Sequence, residues 1–280
     1  MNAVLDIPSA SVSIIVTSYS YGRMKDLIDL IKSVREQKQL DRLEIVLVVE
    51  RDKRLFDEIR NLLSGMADLK SKVLFFERLS GMSEARNKGA EASIGKYLAF
   101  LDDDVVLDRS WSINLISTMQ NTNAIAITGP SRPIWVDREL DWWPSELSWI
   151  IGSTEWFHSK EAIRIRNVWG NNMIVKREEF SRVGGFRKEF GLQSASRRKW
   201  FDPPSEDVDI SFRLRRSYGD EILYVPGLSV GHKVSQRKIS WRFIAQRSFS
   251  TGYQRHAIAR LYSQDNFKSI KLFLLSNTLD

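Results

Sequence analysis

The stretch that decides the fold is residues 81–104, which reads GMSEARNKGAEASIGKYLAFLDDD. Its first part predicts a helix that begins at Ser83 or Glu84, because serine can cap the free backbone N–H groups of a first turn. The helix is expected to end near Gly95, a residue type suited to the left-handed turn after a helix. The apolar run 96–101 predicts a short strand, which leads directly into three aspartates.

The three aspartates indicate a divalent metal site. Adjacent carboxylates repel one another unless water or a cation separates their charges. Mg²⁺ and Mn²⁺ prefer oxygen ligands and usually take one or two protein carboxylates together with substrate phosphates. Because ligands of open α/β sheets bind beyond the carboxyl ends of the strands, an Asp-x-Asp element at such an end is well placed. An isolated acidic triplet would equally fit a solvated turn, so the choice between a metal site and a turn depends on the surrounding residues.

Strands and helices alternate through the N-terminal half. Apolar, β-branched runs predict strands at 11–17, 43–49 and 73–76, and apolar residues at helical spacing predict a helix after each of the first two. With the helix and strand of 81–101, this gives four strands and three helices, the pattern of a parallel sheet covered on both faces. The sequence therefore predicts an open α/β fold. Further strands are predicted at 125–128, 168–175 and 221–225.

Composition places the chain among globular proteins. Its 280 residues are 42% hydrophobic, which is enough for one large α/β domain or for a domain with an appended lobe. The absence of cysteine excludes disulfides and thiolate metal sites. The N-terminus shows no secretory signal pattern and no run of about 18 apolar residues occurs, so a cytoplasmic protein without a membrane span is expected.

The net charge of +7 is concentrated in the tail. From Lys233 onward there are nine Lys or Arg residues and two Asp residues, so residues 1–232 are formally neutral. Aromatic and aliphatic residues such as Trp241 and Phe243 alternate with these arginines. Such a helix could lie on an anionic membrane surface, or it could pack on the domain with a solvated basic face. Nucleic acid is a weaker interpretation, because no recognition motif accompanies the charge.

Five segments resemble the family-2 glycosyltransferases of the GT-A fold. They occur in the family's order and together span about residues 10–235. They are SIIVTSYSYGR (13–23), LEIVLVVE (43–50), residues 81–104, VWGNNMIVKREEFSRVGGF (168–186) and SEDVDISFRLRR (205–216). The resemblance implies a GT-A catalytic domain at 10–235, divided into a nucleotide-binding half (10–128) and an acceptor-side half (129–235). A basic amphipathic helical tail would follow at 236–280. Neither the dinucleotide nor the P-loop glycine pattern is present.

The resemblance implies which residues bind the donor nucleotide. Thr17, at the end of the first strand, would contact the base or ribose. Glu50 stands where the family often has an aspartate that reads uracil or ribose, although a surface charge at a strand end is the simpler alternative. The triplet that begins at Glu50 departs from the family's usual two acids and small residue, and uridine is the base that the resemblance matches best. Arg86 and Asn87 match the family's Ala-Arg-Asn-x-Gly and would face the nucleotide.

The resemblance also implies a metal centre. Asp104 would be the main ligand of Mg²⁺ or Mn²⁺. Asp102 would also bind the metal and would contact the ribose. Asp103, between the two in sequence, would contact the nucleotide-sugar donor. His232 would approach the metal or the diphosphate, with a structural histidine as the alternative. Gly89 is expected to let its helix pack closely on the sheet.

The acceptor side is implied by the C-terminal half. Asn171 and Asn172 would read sugar hydroxyls or simply end a turn. Asp207 would be the general base and Glu206 its neighbour or substitute, although Ser205 could be capping a helix that carries both acids in its first turn. By pattern alone residues 208–214 alternate as a strand does, whereas the resemblance predicts a helix. Several tryptophans would form an acceptor-side lid or an aromatic subcore, namely Trp135, Trp142, Trp143, Trp149, Trp156, Trp169 and Trp200.

These expectations describe a metal-dependent, inverting glycosyltransferase of glycan or polysaccharide biosynthesis. It would transfer a sugar from a nucleotide-sugar donor, with UDP as the expected nucleotide, to a saccharide or lipid-linked acceptor at the inner face of the cell membrane. Two other classes remain open. A non-catalytic homologue would keep the donor site without turnover, and a sugar-phosphate nucleotidyltransferase would be expected to show a glycine-rich, lysine-containing loop after the first strand.

Overall fold

The computed structural model describes residues 11–136, 142–191 and 205–262. Within these ranges the chain forms two sheets that are flanked by helices. The strands are β1 (Val12–Ser18), β2 (Leu43–Glu50), β3 (Lys70–Phe76), β4 (Tyr97–Leu101), β5 (Val105–Leu107), β6 (Ala126–Thr128), β7 (Ser131–Trp135), β8 (Ile163–Arg164), β9 (Asn172–Lys176), β10 (Ile222–Tyr224) and β11 (Val230–Val234). The helices are α1 (Met24–Arg35), α2 (Lys53–Ser64), α3 (Met82–Ala92), α4 (Trp111–Asn121), α5 (Arg177–Arg182), α6 (Glu206–Tyr218) and α7 (Trp241–Leu261).

The large sheet has the strand order β3-β2-β1-β4-β9-β6-β10-β8. Its first four strands are parallel, so their carboxyl ends meet at one edge, as the sequence predicts. β9 runs antiparallel between β4 and β6. β1 and β2 are apolar almost throughout and buried along nearly their whole length, because helices cover both faces of the sheet. The predicted open α/β fold is therefore confirmed.

A small second sheet stands next to this edge. Its order is β5-β11-β7, with β11 antiparallel to β5 and parallel to β7. β5 begins directly after the three aspartates, and its Val105 pairs with His232 of β11. The ammonium of Lys233 lies 2.8 Å from Asp26 Oδ1 and 2.6 Å from Asp29 Oδ2, which ties this sheet to α1. The small sheet thus brings a histidine from late in the chain to the acidic strand end.

Helix α3 differs in detail from its prediction. It begins at Met82 behind Gly81, whose φ is +95°, and the predicted serine cap is wrong because the Ser83 hydroxyl donates to Phe190 O at 2.7 Å. Gly95 does not adopt a positive φ. A Cβ there would lie 2.5 Å from Ser13 Oγ, so this glycine serves close approach to β1. The expected close packing at Gly89 is confirmed, since a Cβ there would lie 2.5 Å from Ile15 Cγ2.

Helix α6 resolves the conflict between pattern and resemblance in favour of a helix. The strand interpretation is wrong, because Ile210 and Leu214 lie four residues apart on one buried helical face. Ser205 occupies the N-cap position, but its hydroxyl donates to Gln254 Oε1 at 2.8 Å instead of capping the backbone. The predicted strand at 168–175 is shorter than expected and begins at Asn172. Trp200 lies outside the described residues.

The described part of the tail packs on the domain. At its far end Ile258 of α7 and Tyr262, just after the helix, share an apolar cluster with Phe190. Near its start Phe243 and Ile244 pack against a cluster around Trp143. No helix within the described residues is long and apolar enough to cross a membrane. The domain division at residues 128 and 235 stays a prediction.

Candidate active site

Three predicted metal ligands lie together at the junction of the two sheets. Asp102 and Asp104 occupy the turn between β4 and β5, and His232 comes from β11. One potential ligand atom from each lies within 4.8 Å of the others. Two carboxylates and an imidazole form a donor set that suits a divalent transition metal such as Mn²⁺. The residues present therefore fit the metal that the sequence predicts.

Asp104 lies beside a histidine and two cationic side chains. Its Oδ1 lies 3.3 Å from His232 Nε2, and its Oδ2 lies 3.3 Å from Arg23 and 3.5 Å from the ammonium of Lys238. Burial acts to raise the pKa of Asp104, but these three neighbours outweigh burial and hold the pKa below its usual range. Asp104 is therefore a carboxylate at every physiological pH, as a metal ligand has to be.

Asp103 points to the first strand rather than to the metal-ligand group. Its Oδ2 accepts a hydrogen bond of 2.6 Å from Ser18 Oγ, and its Oδ1 lies 3.4 Å from Arg23 Nε. Burial raises the pKa of Asp103 to about 7, against the opposing effect of Arg23. Asp103 thereby links the ends of β1 and β4, and its predicted contact with the donor stays a prediction.

Arg86 connects the metal-ligand group with Glu206, the neighbour of the predicted base. Its side chain is only 1% exposed and donates to Asp102 Oδ1 at 3.0 Å, to Gly170 O at 2.8 Å and to Glu206 Oε1 at 2.8 Å. Its partners in this structure are thus protein groups. The amide nitrogen of Asn87 donates to Phe186 O and its amide oxygen accepts from Phe186 N, and its predicted place facing the nucleotide stays a prediction.

The two acids at the start of α6 have different partners. Glu206 forms the ion pair with Arg86, whereas Asp207 forms no ion pair within the described residues and accepts from Gly170 N at 3.0 Å and Val208 N at 2.8 Å. Burial raises the pKa of both carboxyls, opposed in Asp207 by these N–H groups and in both by Arg86. Asp207 is therefore the carboxylate that is better able to accept a proton.

The nucleotide-side residues lie at the ends of β1 and β2. Thr17 is half-buried and pairs with Val48. The alternative that Glu50 is a surface charge is wrong, because Glu50 is 5% exposed and accepts from both the backbone N–H and the hydroxyl of Ser80, at 2.8 and 2.5 Å. Glu50 thus anchors the segment that leads into α3. Its predicted contact with the base stays a prediction.

The two asparagines of the 168–186 segment have separate roles. Asn172 is fully buried, accepts from Trp111 Nε1 at 3.1 Å and donates to Leu228 O at 2.7 Å, and its predicted role in reading sugar hydroxyls stays a prediction. Asn171 donates to Gly152 O at 2.9 Å, while its Oδ1 is buried without a hydrogen-bond partner. Asn171 is therefore the one of the pair that keeps an acceptor for a ligand.

Most of the described tryptophans in this segment pack against other side chains, whereas Trp142 is exposed. Trp156 and Trp169 pack with Phe157 and Tyr224 as an aromatic cluster, with neighbouring ring centroids 4.8–6.2 Å apart. Trp143 belongs to the apolar cluster beside α7. Trp135 and Trp149 pack against that same cluster. For these side chains the aromatic-subcore interpretation is confirmed. Trp142 is 67% exposed, and an acceptor-side lid stays a prediction.

Three residues near the metal-ligand group were missed by sequence reasoning. Arg23 and Lys238 contact Asp104, yet both lie far from it in the sequence. Gly152 has φ +81°, and a Cβ there would lie 2.9 Å from His232 Cε1. Arg23 ends the quoted segment SIIVTSYSYGR and Lys238 belongs to the basic tail, so charge alone could have suggested them. Gly152 has no sequence signal.

Sequence comparisons relate this chain to known proteins. Residues 13–184 match the sequence model of the family described as glycosyl transferase family 2. The glucosyl-dolichyl phosphate glucuronosyltransferase of Haloferax volcanii is 29% identical over 255 residues, which cover 90% of this chain and 79% of that protein.

Two solved structures share the fold. A mannosyltransferase from Pyrobaculum calidifontis in complex with GDP-Man and Mn²⁺ superposes with a TM-score of 0.64 at 17% identity, over 90% of this chain and 65% of that one. GalNAc-T7 with UDP, GalNAc and Mn²⁺ superposes with a TM-score of 0.63 at 16% identity, over 95% of this chain and 54% of that one. This chain thus spans about half to two thirds of the length of these two structures. Because the family model covers more than half of the chain, the protein belongs to glycosyl transferase family 2, a family of glycosyltransferases, and has the GT-A fold.

Proposed function

We propose that the protein transfers a sugar, with inversion, from a nucleoside-diphosphate sugar to a saccharide or lipid-linked saccharide, assisted by a divalent metal. The observation that carries this proposal is a single connected network. The group of Asp102, Asp104 and His232 is joined through the buried guanidinium of Arg86 to the acids at the start of α6. A metal site and a base that share one network are what this chemistry requires.

The metal ligands and the base have separate proposed roles. Asp102, Asp104 and His232 would hold Mg²⁺ or Mn²⁺, which when bound neutralises the charge that builds on the departing diphosphate. Asp207 accepts the proton of the acceptor hydroxyl at a carboxylate oxygen while that hydroxyl oxygen forms the new bond to the anomeric carbon. The bond to the diphosphate breaks at the opposite face, so the configuration inverts. Burial favours this role because it makes Asp207 a stronger base than an exposed aspartate.

Arg86 acts as a positioning residue in this scheme. It keeps Glu206 in an ion pair and holds Gly170 through its carbonyl, while the N–H of Gly170 donates to Asp207 Oδ2. One guanidinium therefore orients the base through the backbone of Gly170 and orients the metal ligand Asp102 directly. The fixed fork of an arginine suits such multiple contacts better than a lysine does.

The donor nucleotide is proposed to be uridine-based. Thr17 and Glu50 at the ends of β1 and β2 are the proposed base and ribose contacts. The two structural neighbours were solved with GDP-Man and with UDP, so the fold itself accommodates either nucleotide. Direct comparison of UDP with GDP is therefore the measurement that assigns the base.

The acceptor is proposed to be lipid-linked and used at the inner face of the cell membrane. The name of the Haloferax volcanii relative describes action on a glucosyl-dolichyl phosphate, which is a lipid-linked sugar. Trp241 is 85% exposed and precedes Arg242, also exposed, at the start of α7. An exposed tryptophan beside an arginine suits the headgroup region of an anionic membrane. Membrane association through this end of the tail is part of the proposal.

The proposal is tested by donor binding and turnover in the purified protein. Melting temperature is measured with UDP, GDP and their sugar conjugates, with and without Mn²⁺. A ligand at about 100 times its Kd adds about 2.7 kcal/mol of stability, so a metal-dependent shift is expected for one nucleotide. Asp207→Asn should keep this shift but lose transfer by about 10²-fold or more, while Asp220→Asn, at an exposed position, should not.

Two outcomes would overturn the proposal. The absence of any nucleotide-dependent shift would remove the donor site. A shift with undiminished transfer by Asp207→Asn would remove the assigned base. A nucleotide-dependent shift with no transfer or donor hydrolysis by the native protein would instead favour a non-catalytic nucleotide-sugar-binding homologue.

A further inference from the structure

We propose that Lys238 competes with the metal ion for Asp104 and His232, and that the diphosphate of the donor relieves this competition. Metal and donor would then bind cooperatively, each weakly without the other. The inference rests on the proposed function, since it takes the metal-ligand group and a diphosphate donor from it. It adds a role for a lysine that neither the family motifs nor the sequence pattern assigns.

The contacts of Lys238 place its ammonium among the metal-ligand residues. Nζ of Lys238 lies 3.1 Å from His232 Nε2 and 3.5 Å from Asp104 Oδ2. These are two of the three side chains that form the potential metal group. The side chain of Lys238 is 24% exposed and is therefore mostly enclosed by the site. A single positive charge thus already contacts the groups that would hold an ion.

The contact with His232 makes the competition direct. An ammonium has only donors, so a hydrogen bond from Lys238 requires the lone pair of Nε2 as its acceptor. A metal ion would bind an imidazole through a lone pair of the same kind. The other ring nitrogen, Nδ1, is buried and has no hydrogen-bond partner. If the metal binds through Nε2, the hydrogen bond from Lys238 has to break first.

The backbone around Lys238 keeps the ammonium close to the site after it is displaced. Lys238 lies in the short 3-10 helix Gln236–Ile239, between β11 and α7. Its neighbour Ile239 packs against the apolar cluster that contains Trp143, Ile150 and Val234. The side chain can therefore change its contacts while the segment stays in place. A displaced ammonium in a partly buried site needs a new anion.

A diphosphate supplies that anion. Arg23, which directly precedes α1, lies 3.3 Å from the same oxygen of Asp104, so two cations contact one carboxylate. When a metal ion binds Asp104, Arg23 and Lys238 lose part of the negative charge that balances them. Charge-assisted hydrogen bonds to phosphate oxygens can replace it, because Arg and Lys are the usual partners of phosphate groups. The donor thus stabilises the arrangement that the metal requires, and linkage makes the effect reciprocal.

The experiment measures Mn²⁺ binding without turnover. Free Mn²⁺ is followed by electron paramagnetic resonance in titrations of the full chain and of Lys238→Met, each with and without UDP or GDP. Without nucleotide, Lys238→Met should bind Mn²⁺ more tightly than the native protein, on the order of 10-fold. With the preferred nucleotide the gain should shrink or reverse, because the variant lacks one diphosphate contact.

Matched variants make the result specific. Lys160→Met, at an exposed lysine, should leave Mn²⁺ affinity unchanged, and Lys238→Arg should retain the competition. Lys238→Gln replaces Lys238→Met if the latter fails to fold. Unchanged or weaker Mn²⁺ binding by the Lys238 variants without nucleotide would overturn the inference. Asp104→Ala separates this from failure of the proposed function, because its Mn²⁺ affinity would equal the native value only if the metal-ligand group itself were wrongly assigned.

Discussion

Arg86 shows how far a single residue can be assigned from sequence. Its motif identifies it as part of the site, and the structure places it there. Its partners, however, are Asp102, Gly170 and Glu206, which lie 16 to 120 positions away in sequence. No local pattern encodes such distances, so the resemblance could predict that Arg86 matters but not that it joins the metal ligands to the base.

Arg86→Lys tests this joining role. Lysine keeps the charge but cannot reach three acceptors with a fixed fork, so Glu206 and Asp102 would lose their orientation. Because breaking a buried ion pair costs about 3–5 kcal/mol, we expect a partial loss of that order in the free energy of unfolding. We also expect kcat/KM to fall by about 10-fold or more, since the base is misplaced.

The measurements for Arg86→Lys are chemical denaturation and steady-state transfer. Arg109→Lys is the control, because the side chain of Arg109 is 87% exposed and should tolerate the change. Native stability in Arg86→Lys would contradict the role assigned to the buried ion pair. Native kcat/KM in a folded variant would contradict the positioning of Asp207.

The pH dependence of transfer reports on Asp207. A base works only when deprotonated, and burial raises the pKa of this carboxyl above the ordinary value of about 3.9. As pH falls through the raised pKa, the carboxylate is lost and kcat/KM should fall with it. The acid limb is therefore expected clearly above the ordinary aspartate range and should move in Asp207→Glu. A limb near pH 4, measured with saturating Mn²⁺, would contradict this.

At the scale of elements, the existence of helix α3 follows from its local sequence, whereas its boundaries depend on tertiary packing. The helix was predictable from the serine and glycine residues near its ends, and its close contact with the sheet was predictable from Gly89. Its boundaries were not, because Gly81 starts the helix with a positive φ and Ser83 binds the backbone of Phe190, 107 positions away. Similarly, the alternation at 208–214 was misleading because burial at Ile210 and Leu214 follows helical spacing.

Gly89→Ala tests the packing of α3 on β1. Alanine gains about 1 kcal/mol of helix propensity over glycine. Its Cβ would lie 2.5 Å from Ile15 Cγ2 and 3.2 Å from Val48 Cγ2, and overpacking of this kind costs about 1–3 kcal/mol. We expect net destabilisation in thermal melts. Gly252→Ala in α7 has nothing within 4 Å of its Cβ and should be neutral or stabilising. Equal effects of the two substitutions would contradict close packing at Gly89.

Gly152→Ala tests the link between the tryptophan-rich segment and the metal ligand His232. The residue has φ +81°, and its Cβ would lie 2.9 Å from His232 Cε1. The left-handed conformation of Gly152 costs an alanine about 1–2 kcal/mol. Gly219 has open space around it but also disfavours alanine, because its φ of +82° and ψ of −169° lie in a region that is adopted almost exclusively by glycine. Both variants should therefore melt earlier, but only Gly152→Ala should bind Mn²⁺ more weakly. Equal Mn²⁺ affinities would remove Gly152 from the site.

At the scale of the whole molecule, the parallel half of the large sheet was predictable and the small sheet was not. The four parallel strands are long, apolar and regularly separated by helices, so periodicity reveals them. The small sheet is built from strands of three to five residues that meet only through distant pairings, such as Val105 with His232. Its existence depends on the tertiary fold, and so does the place of the histidine.

Membrane association is tested on the full chain. The protein is sedimented with vesicles of neutral lipid and with vesicles that contain anionic lipid. Binding to anionic vesicles is expected and should weaken in Trp241→Ser, because this side chain is 85% exposed and precedes Arg242. Ile94→Ser, at an apolar residue that is 58% exposed just beyond α3, is the control. Equal binding of native protein and Trp241→Ser would exclude this end of α7 as the contact.

The position of His232 on the small sheet has an evolutionary consequence. The two aspartates belong to the turn that leaves the large sheet, whereas the histidine arrives on a separate module whose strands are short and sequence-distant. Exchange of the β11 segment alone would change the third ligand without altering the nucleotide half. Ion preference could therefore diverge among related proteins independently of donor preference, and a chimera that exchanges only β11 would show whether the metal or the donor preference changes with it.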